Sequence, residues 1–106
     1  MDNVTLARYE ARAQIAKALA HSTRLFIIDE LSRRDICVCD LTEMIGADIS
    51  TVSKHLTILK SAGLVQGRKH GAQIFYRLRC PCVLGFFGCM ESVLKSVAEG
   101  NACCVA

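Results

Sequence analysis

The sequence predicts a mainly α-helical fold with a small β-hairpin, and three observations carry that expectation. Apolar residues recur at helical spacing through most of the chain up to Leu59. Two short β-prone runs then flank a glycine-containing turn. A last apolar stretch returns to helical spacing after Pro81. At 106 residues there is room for one domain and no second core.

A first helix is expected over about residues 4–20. Ala7, Ala11, Ile15, Ala18 and Leu19 fall on one face, with Arg8, Glu10, Arg12, Gln14 and Lys17 largely elsewhere. A break at His21-Ser22 follows, with Ser22 the expected N-cap of a second helix. That helix carries Leu25, Phe26, Ile27, Ile28 and Leu31. Being apolar nearly all round, it should be the buried centre of the domain. Ser32-Arg33-Arg34-Asp35 ends it, and Ile36-Cys37-Val38 is β-prone.

Asp40 is expected to open a third helix, since an acid suits the positive end of the helix dipole. Leu41, Met44 and Ile45 would face inward. Gly46-Ala47-Asp48 makes a sharp turn into a fourth helix that starts near Ser50. Its buried stripe should be Ile49, Val52, Leu56 and Leu59. Ser50, Thr51, Ser53, Lys54, His55, Thr57 and Lys60 are left facing outward or sideways, and Gly63 sits where a helix end favours it.

Strand character follows over 64–68 and 72–78, with Lys69-His70-Gly71 as the turn between. Two helices, a turn and a basic-tipped hairpin is the order of a winged helix-turn-helix. Pro81 suits the first turn of a last helix over about 82–99. That helix has two apolar stripes, Phe86/Cys89/Val93 and Val83/Phe87/Met90/Leu94/Val97. A small domain needs one buried face per helix, so the second stripe calls for a partner, most simply the same helix of a second copy. The expected organisation is therefore a domain over 1–99 that dimerises through its first and last helices, followed by a cysteine-containing tail over 100–106.

Charge is unevenly placed. The net charge is +3, yet from Ile49 to Met90 there are six basic residues (Lys54, Lys60, Arg68, Lys69, Arg77, Arg79) and no acidic one. Residues 1–48 carry eight acids against six bases. An acid-free basic half is the footprint of a phosphate-binding face; a merely solvated surface is the alternative reading.

Seven cysteines, an odd number, follow a start of Met1-Asp2-Asn3 that lacks a basic-then-apolar signal pattern. A disulfide framework is thus disfavoured and a cytoplasmic location expected. Apolar runs fall well short of the roughly 18 residues of a spanning helix, so no membrane partner is expected. The spacings Cys37-x-Cys39, Cys80-x-Cys82, Cys89 and Cys103-Cys104 favour capture of a soft metal or metalloid, with redox sensing second. Catalysis is disfavoured, because no Cys-x-x-Cys and no Cys/His pairing is present. His21, beside Ser22, reads as structural. His55 and His70 have no acidic or histidine cluster around them that would suit a metal.

The chain resembles the ArsR/SmtB family of arsenic- and metal-responsive winged-helix repressors, and is closest to its thiol-using arsenic sensors. Three segments carry the resemblance: Lys17-Ala18-Leu19-Ala20-His21-Ser22-Thr23-Arg24-Leu25, Cys37-Val38-Cys39-Asp40-Leu41, and Ser50-Thr51-Val52-Ser53-Lys54-His55-Leu56 running on to Gly63-Leu64-Val65. It extends over about residues 10–98. The resemblance implies a homodimer, a DNA-binding repressor that is not an enzyme, and As(III) or Sb(III) as inducer, with Cd(II), Pb(II) or Zn(II) as alternatives. A repressor of the same fold that responds to thiol oxidation is the other reading.

A recognition helix presents its first residues to base edges in the major groove. Ser50, Thr51, Ser53, Lys54 and His55 hold those places, and Lys60 lies further along towards phosphate. Arg68, Lys69, His70 and Gln73 would reach the backbone or minor groove from the wing. The duplex read by a symmetric dimer is an inverted repeat with half-sites about one helical turn apart. Cys37 and Cys39 are the expected metal ligands, beside a helix N-terminus that suits a negatively charged sulfur. Where the arsenic sensors carry a further cysteine three residues on, this chain has Thr42. Cys80, Cys82 and Cys89 are the candidates for the remaining ligand. Pairing of residues 36–38 with residues 77–79 would bring Cys80 or Cys82 close to Cys37. Cys103 and Cys104 could close over a site from the tail.

Overall fold

A computed structural model describes residues 1–100 of the chain; Cys103 and Cys104 lie outside the described residues. The helices are α1 (Asn3–Leu19), α2 (Ser22–Leu31), α3 (Val38–Ile45), α4 (Ile49–Ser61) and α5 (Leu84–Glu99). The strands are β1 (Ile36–Cys37), β2 (Val65–His70) and β3 (Gln73–Leu78), with a 3₁₀ turn at Pro81–Val83. This is the expected winged helix-turn-helix: α3 packs against α4, and β2–β3 form the wing.

The core lies where the apolar stripes of the helix-turn-helix meet α2 and the sheet. Ile27, Ile28, Ile36, Leu41, Val52, Leu56, Leu59 and Val65 are fully enclosed, with Ala18 and Leu19 of α1 and Val83 at its edges. Strand order is β1-β3-β2, antiparallel throughout. Residues directly opposite share a face. One face carries Val65, Tyr76, Leu78 and Ile36 into the core, and the other carries Gln66, Arg68, His70, Gln73 and Arg77.

Several local expectations are corrected. Ser22 lies within α2; the cap is His21, whose Nδ1 accepts the N–H of Thr23 at 3.1 Å. The third helix starts at Val38, two residues before Asp40. Its cap is Cys37, whose sulfur accepts the N–H of Asp40 at 3.4 Å. The hairpin turn is Gly71-Ala72, with Lys69 and His70 still paired in β2; Gly71 supplies the positive φ of the turn. Ile49 does not join the buried stripe but is 52% exposed, because it is the first residue of α4 and no preceding turn covers it. In α2, Phe26 is 39% exposed and Leu25 half-buried, so that helix has one open side.

The outer helices are the most exposed. Only Ala18 and Leu19 of α1 are buried, and no residue of α5 is. The helix running from Pro81 to Glu99 is long and apolar enough, by length and composition, to cross a membrane, contrary to the expectation that no segment is. Glu91, Lys95 and Glu99 interrupt its surface. Its apolar side chains Phe86, Met90, Val93, Leu94 and Val97 stay largely open in the single subunit.

Gly46 ends α3 in the left-handed conformation, φ 76°, and an added Cβ would meet nothing within 4 Å. The cost of Gly46→Ala is therefore purely conformational. Thermal or urea unfolding should show a loss of about 1–2 kcal/mol, and an unchanged stability would mean the turn relaxes.

Candidate nucleic-acid interface and thiol site

Burial of Val52, Leu56 and Leu59 turns the opposite side of α4 to solvent. Ser50, Thr51, Ser53, Lys54, Thr57 and Lys60 are all exposed there. The Thr51 hydroxyl donates to the Asp48 carboxylate at 3.4 Å, and the Thr57 hydroxyl to the Ser53 carbonyl at 2.9 Å. Ile58, 42% exposed, and Ile49 add two apolar groups to the same helix that helical spacing alone did not assign to the surface.

His55 stands apart from that row. It is half-buried, 3.2 Å from Arg24 Nη1 through its Nδ1, and packed on the His21 ring with centroids 4.4 Å apart. Burial first, then the electrostatic influence of the neighbouring His21 and Arg24, lowers its pKa from the ordinary 6.5.

On the wing, Arg68, Lys69, His70 and Gln73 are exposed. Arg68 and His70 share the open face with Gln73, and His70 meets Phe75 edge-on at 6.0 Å. Lys69 points to the other face, as the period of a strand requires. Arg77 belongs to the open-face row and is also exposed. It was not among the expected DNA-facing residues, although its spacing of four from Gln73 along a strand would have placed it on that face.

The thiols are spread out. Cys37 is buried at the head of α3 and Cys39 is exposed one position into the helix. Cys37 pairs with Phe75 and Ile36 with Tyr76, so β1 lies about three residues further from the wing's base than expected. Cys80 is then five residues beyond Phe75, roughly 16 Å along an extended strand. Its thiol donates to the Gly63 carbonyl at 3.6 Å, at the β2 edge of the sheet. The expected approach of Cys80 or Cys82 to Cys37 through strand pairing is thus corrected by the register. Cys82, in the 3₁₀ turn, and Cys89, in α5, are exposed. Among the described residues no group of three or more His, Cys, Asp or Glu side chains is placed to hold a metal ion. Cys37 and Cys39 are neighbours in sequence, one buried and the other exposed, and two thiols are short of the three that a trivalent metalloid takes.

A family model described as bacterial regulatory protein, arsR family, matches residues 21–66. An HTH-type transcriptional regulator of Methanocaldococcus jannaschii is 40% identical over 72 residues, which cover 67% of this chain and 81% of that protein. The arsenical resistance operon repressor of Escherichia coli K12 is 41% identical over 66 residues, covering 61% of this chain and 56% of that one. Among solved structures, the homodimeric winged helix-turn-helix DNA-binding domain of a possible ArsR-family regulator from Mycobacterium bovis superimposes with a TM-score of 0.80. It is 30% identical, with 95% of this chain and 94% of that chain covered.

Proposed function

Because the chain belongs to the arsR family of bacterial regulatory proteins, we propose that it is a dimeric DNA-binding repressor released from its operator when Cys37 and Cys39 bind arsenite or antimonite. The family is one of transcriptional regulators and not of enzymes. One observation carries the sensing half: Cys37, one residue from Cys39 in sequence, is the cap of α3, the helix that packs on α4. Each thiol that bonds to arsenic gives up its proton and displaces one arsenite hydroxyl, the two leaving as water; Cys37 drawn into that bond releases the N–H of Asp40 and frees the start of α3. The change passes to α4 through their shared apolar contacts. Linkage then requires DNA to weaken inducer binding by the same factor, typically about 5- to 150-fold.

The third thiolate comes from Cys82 or Cys89, both exposed, or from Cys103 or Cys104. Cd(II), Pb(II) and Zn(II) are the alternative inducers, since thiolates hold each of them. The protein works in the cytoplasm, as a homodimer on an inverted repeat, with α5 against its partner and not in a membrane. The similarity to an arsenical resistance operon repressor supports arsenite as an inducer.

On DNA, Lys54 reads a base edge and Lys60 a phosphate. Lys54→Ala should cost about 1–3 kcal/mol and blur the preference at one base pair. Lys60→Ala should weaken all sequences alike and lower the salt slope by about one. Titrations of matched and mismatched duplexes at several salt concentrations separate the two roles.

The deciding experiment is retardation of the DNA upstream of the protein's own gene, with arsenite, antimonite, cadmium, lead, zinc and mild peroxide added in turn. Release by arsenite or antimonite is the expected result. Release by peroxide alone, with loss of free thiols, would replace the metalloid with an oxidant. Failure to retard the DNA at moderate salt would remove the repressor reading.

A further inference from the structure

The junction of α1, α2 and α4 holds a cluster that neither the thiols nor the exposed row of α4 employs. Arg24 donates through Nε to the Ala18 carbonyl at 2.6 Å and through Nη2 to the Lys17 carbonyl at 3.3 Å. Both carbonyls lie in the last turn of α1, where the helix's own ladder runs out and a cation suits the dipole. The remaining guanidinium nitrogen, Nη1, lies 3.2 Å from Nδ1 of His55 in the middle of α4. The His55 ring packs on His21, which caps α2. One guanidinium and two imidazoles therefore join the end of α1, the start of α2 and the recognition helix.

The chemistry decides where the protons sit. A guanidinium only donates, so His55 Nδ1 must accept, which makes the ring neutral with its proton on Nε2. His21 Nδ1 accepts a backbone N–H and is likewise the Nε2–H tautomer. A protonated His55 would lose its bond to Arg24 and face two basic groups, Arg24 and His21, with no acid recorded against it.

We propose that Arg24 is a positioning residue for DNA binding: through neutral His55 it holds α4 at a fixed angle to α1, and protonation of His55 opens this clamp. The inference rests on the reading of α4 as the recognition helix. With α1 in the dimer, the clamp ties each recognition helix to the seam between subunits, and so governs their spacing across the two half-sites. Its pH sign is unusual. A histidine beside a phosphate gains affinity when it takes up a proton, because it adds a cation. A clamp that needs the neutral ring loses affinity instead. The lowered pKa of His55 agrees in sign. The unfolded chain protonates first, so the clamp's stability is lost as pH falls from the ordinary 6.5 through the folded value, with no penalty above it.

The test measures affinity by fluorescence anisotropy, with a fluorescein-labelled duplex from upstream of the gene, at about pH 7.5 and about pH 5.5 and constant ionic strength. Wild type should lose about tenfold on acidification. His55→Asn places an amide oxygen where Nδ1 was and cannot take the proton; whatever its affinity at the higher pH, it should show no loss on acidification. His55→Leu and Arg24→Gln should bind about tenfold more weakly at both pH values, with the wild-type salt slope. Affinity that rises in acid through His55, or a slope lower by about one in Arg24→Gln, would make these residues phosphate contacts and overturn the proposal. Should Arg24→Gln fail to fold for want of its α1 contacts, the two His55 variants decide. Imidazole nitrogen NMR of the free dimer needs no DNA. An Nε2–H tautomer at His55 is expected, and an Nδ1–H tautomer defeats the clamp. If wild type ignores the duplex, it is the repressor reading that has failed, and the tautomer still decides the clamp.

Discussion

Leu94→Glu will turn the dimer into monomers and weaken operator binding by at least about a hundredfold. The side chain is 63% exposed in the single subunit, so a carboxylate there adds little strain to the fold itself. In the dimer it would bury an unpaired charge in an apolar seam, a change that costs several kcal/mol. Around it lie Phe86, Met90 and Val93, with Ile15 and Leu19 of α1 beside Phe86 and Met90. This open apolar surface continues between α2 and α5, where Leu25, Phe26 and Phe87 line a cavity of about 520 Å³. The related Mycobacterium bovis domain is homodimeric. Loss of one subunit removes the second half-site from each binding event, and with it the gain of about 10²–10⁴ that linking two sites brings. Sedimentation should give the subunit mass, and circular dichroism an unchanged helix content. A mutant that stays dimeric would move the seam away from this part of α5.

The helix-turn-helix was legible because Val52, Leu56, Leu59 and Leu41 repeat at helical spacing and the turn carries a glycine that needs positive φ. The wing was legible for the same kind of reason, as alternation in β3 and a glycine at the turn. What failed to show was whatever depends on distant partners. A two-residue strand such as β1 has too little pattern to set its own register; packing of Ile36 into the core sets it opposite Tyr76. That shift of about three residues is what separates Cys80 from Cys37. Helix starts misled in a second way. Ser is a usual cap and an acid suits a first turn, so Ser22 was expected to cap α2 and Asp40 to open α3, whereas the lone pairs that cap them are those of His21 and Cys37. The partner of His55 lies in another helix, 31 residues away in sequence, beyond the reach of any local pattern.

Cys37→Ser will leave the repressor folded and DNA-bound but deaf to arsenite. Its cap is the reason for choosing serine. The hydroxyl can accept the N–H of Asp40 in place of the sulfur, and serine is among the favoured N-cap residues. The substitution therefore removes the soft ligand while keeping the start of α3 intact. Cys37→Ala removes both, and should cost about 0.5–2 kcal/mol of stability in addition. Cys39 is exposed and caps nothing, so Cys39→Ser isolates ligation from capping. If the ligand bonds alone carry the signal, the two serine variants fail alike. If release of the cap transmits it, Cys39→Ser binds arsenite weakly through Cys37 yet still lets go of DNA when arsenite is in excess, whereas Cys37→Ser never does. Wild-type release should correspond to a coupling of about 1–3 kcal/mol, read as the shift in operator affinity at saturating arsenite. A normal response from Cys37→Ser would place the sensor among Cys80, Cys82, Cys89 and the cysteines that follow, and would detach α3 from the switch.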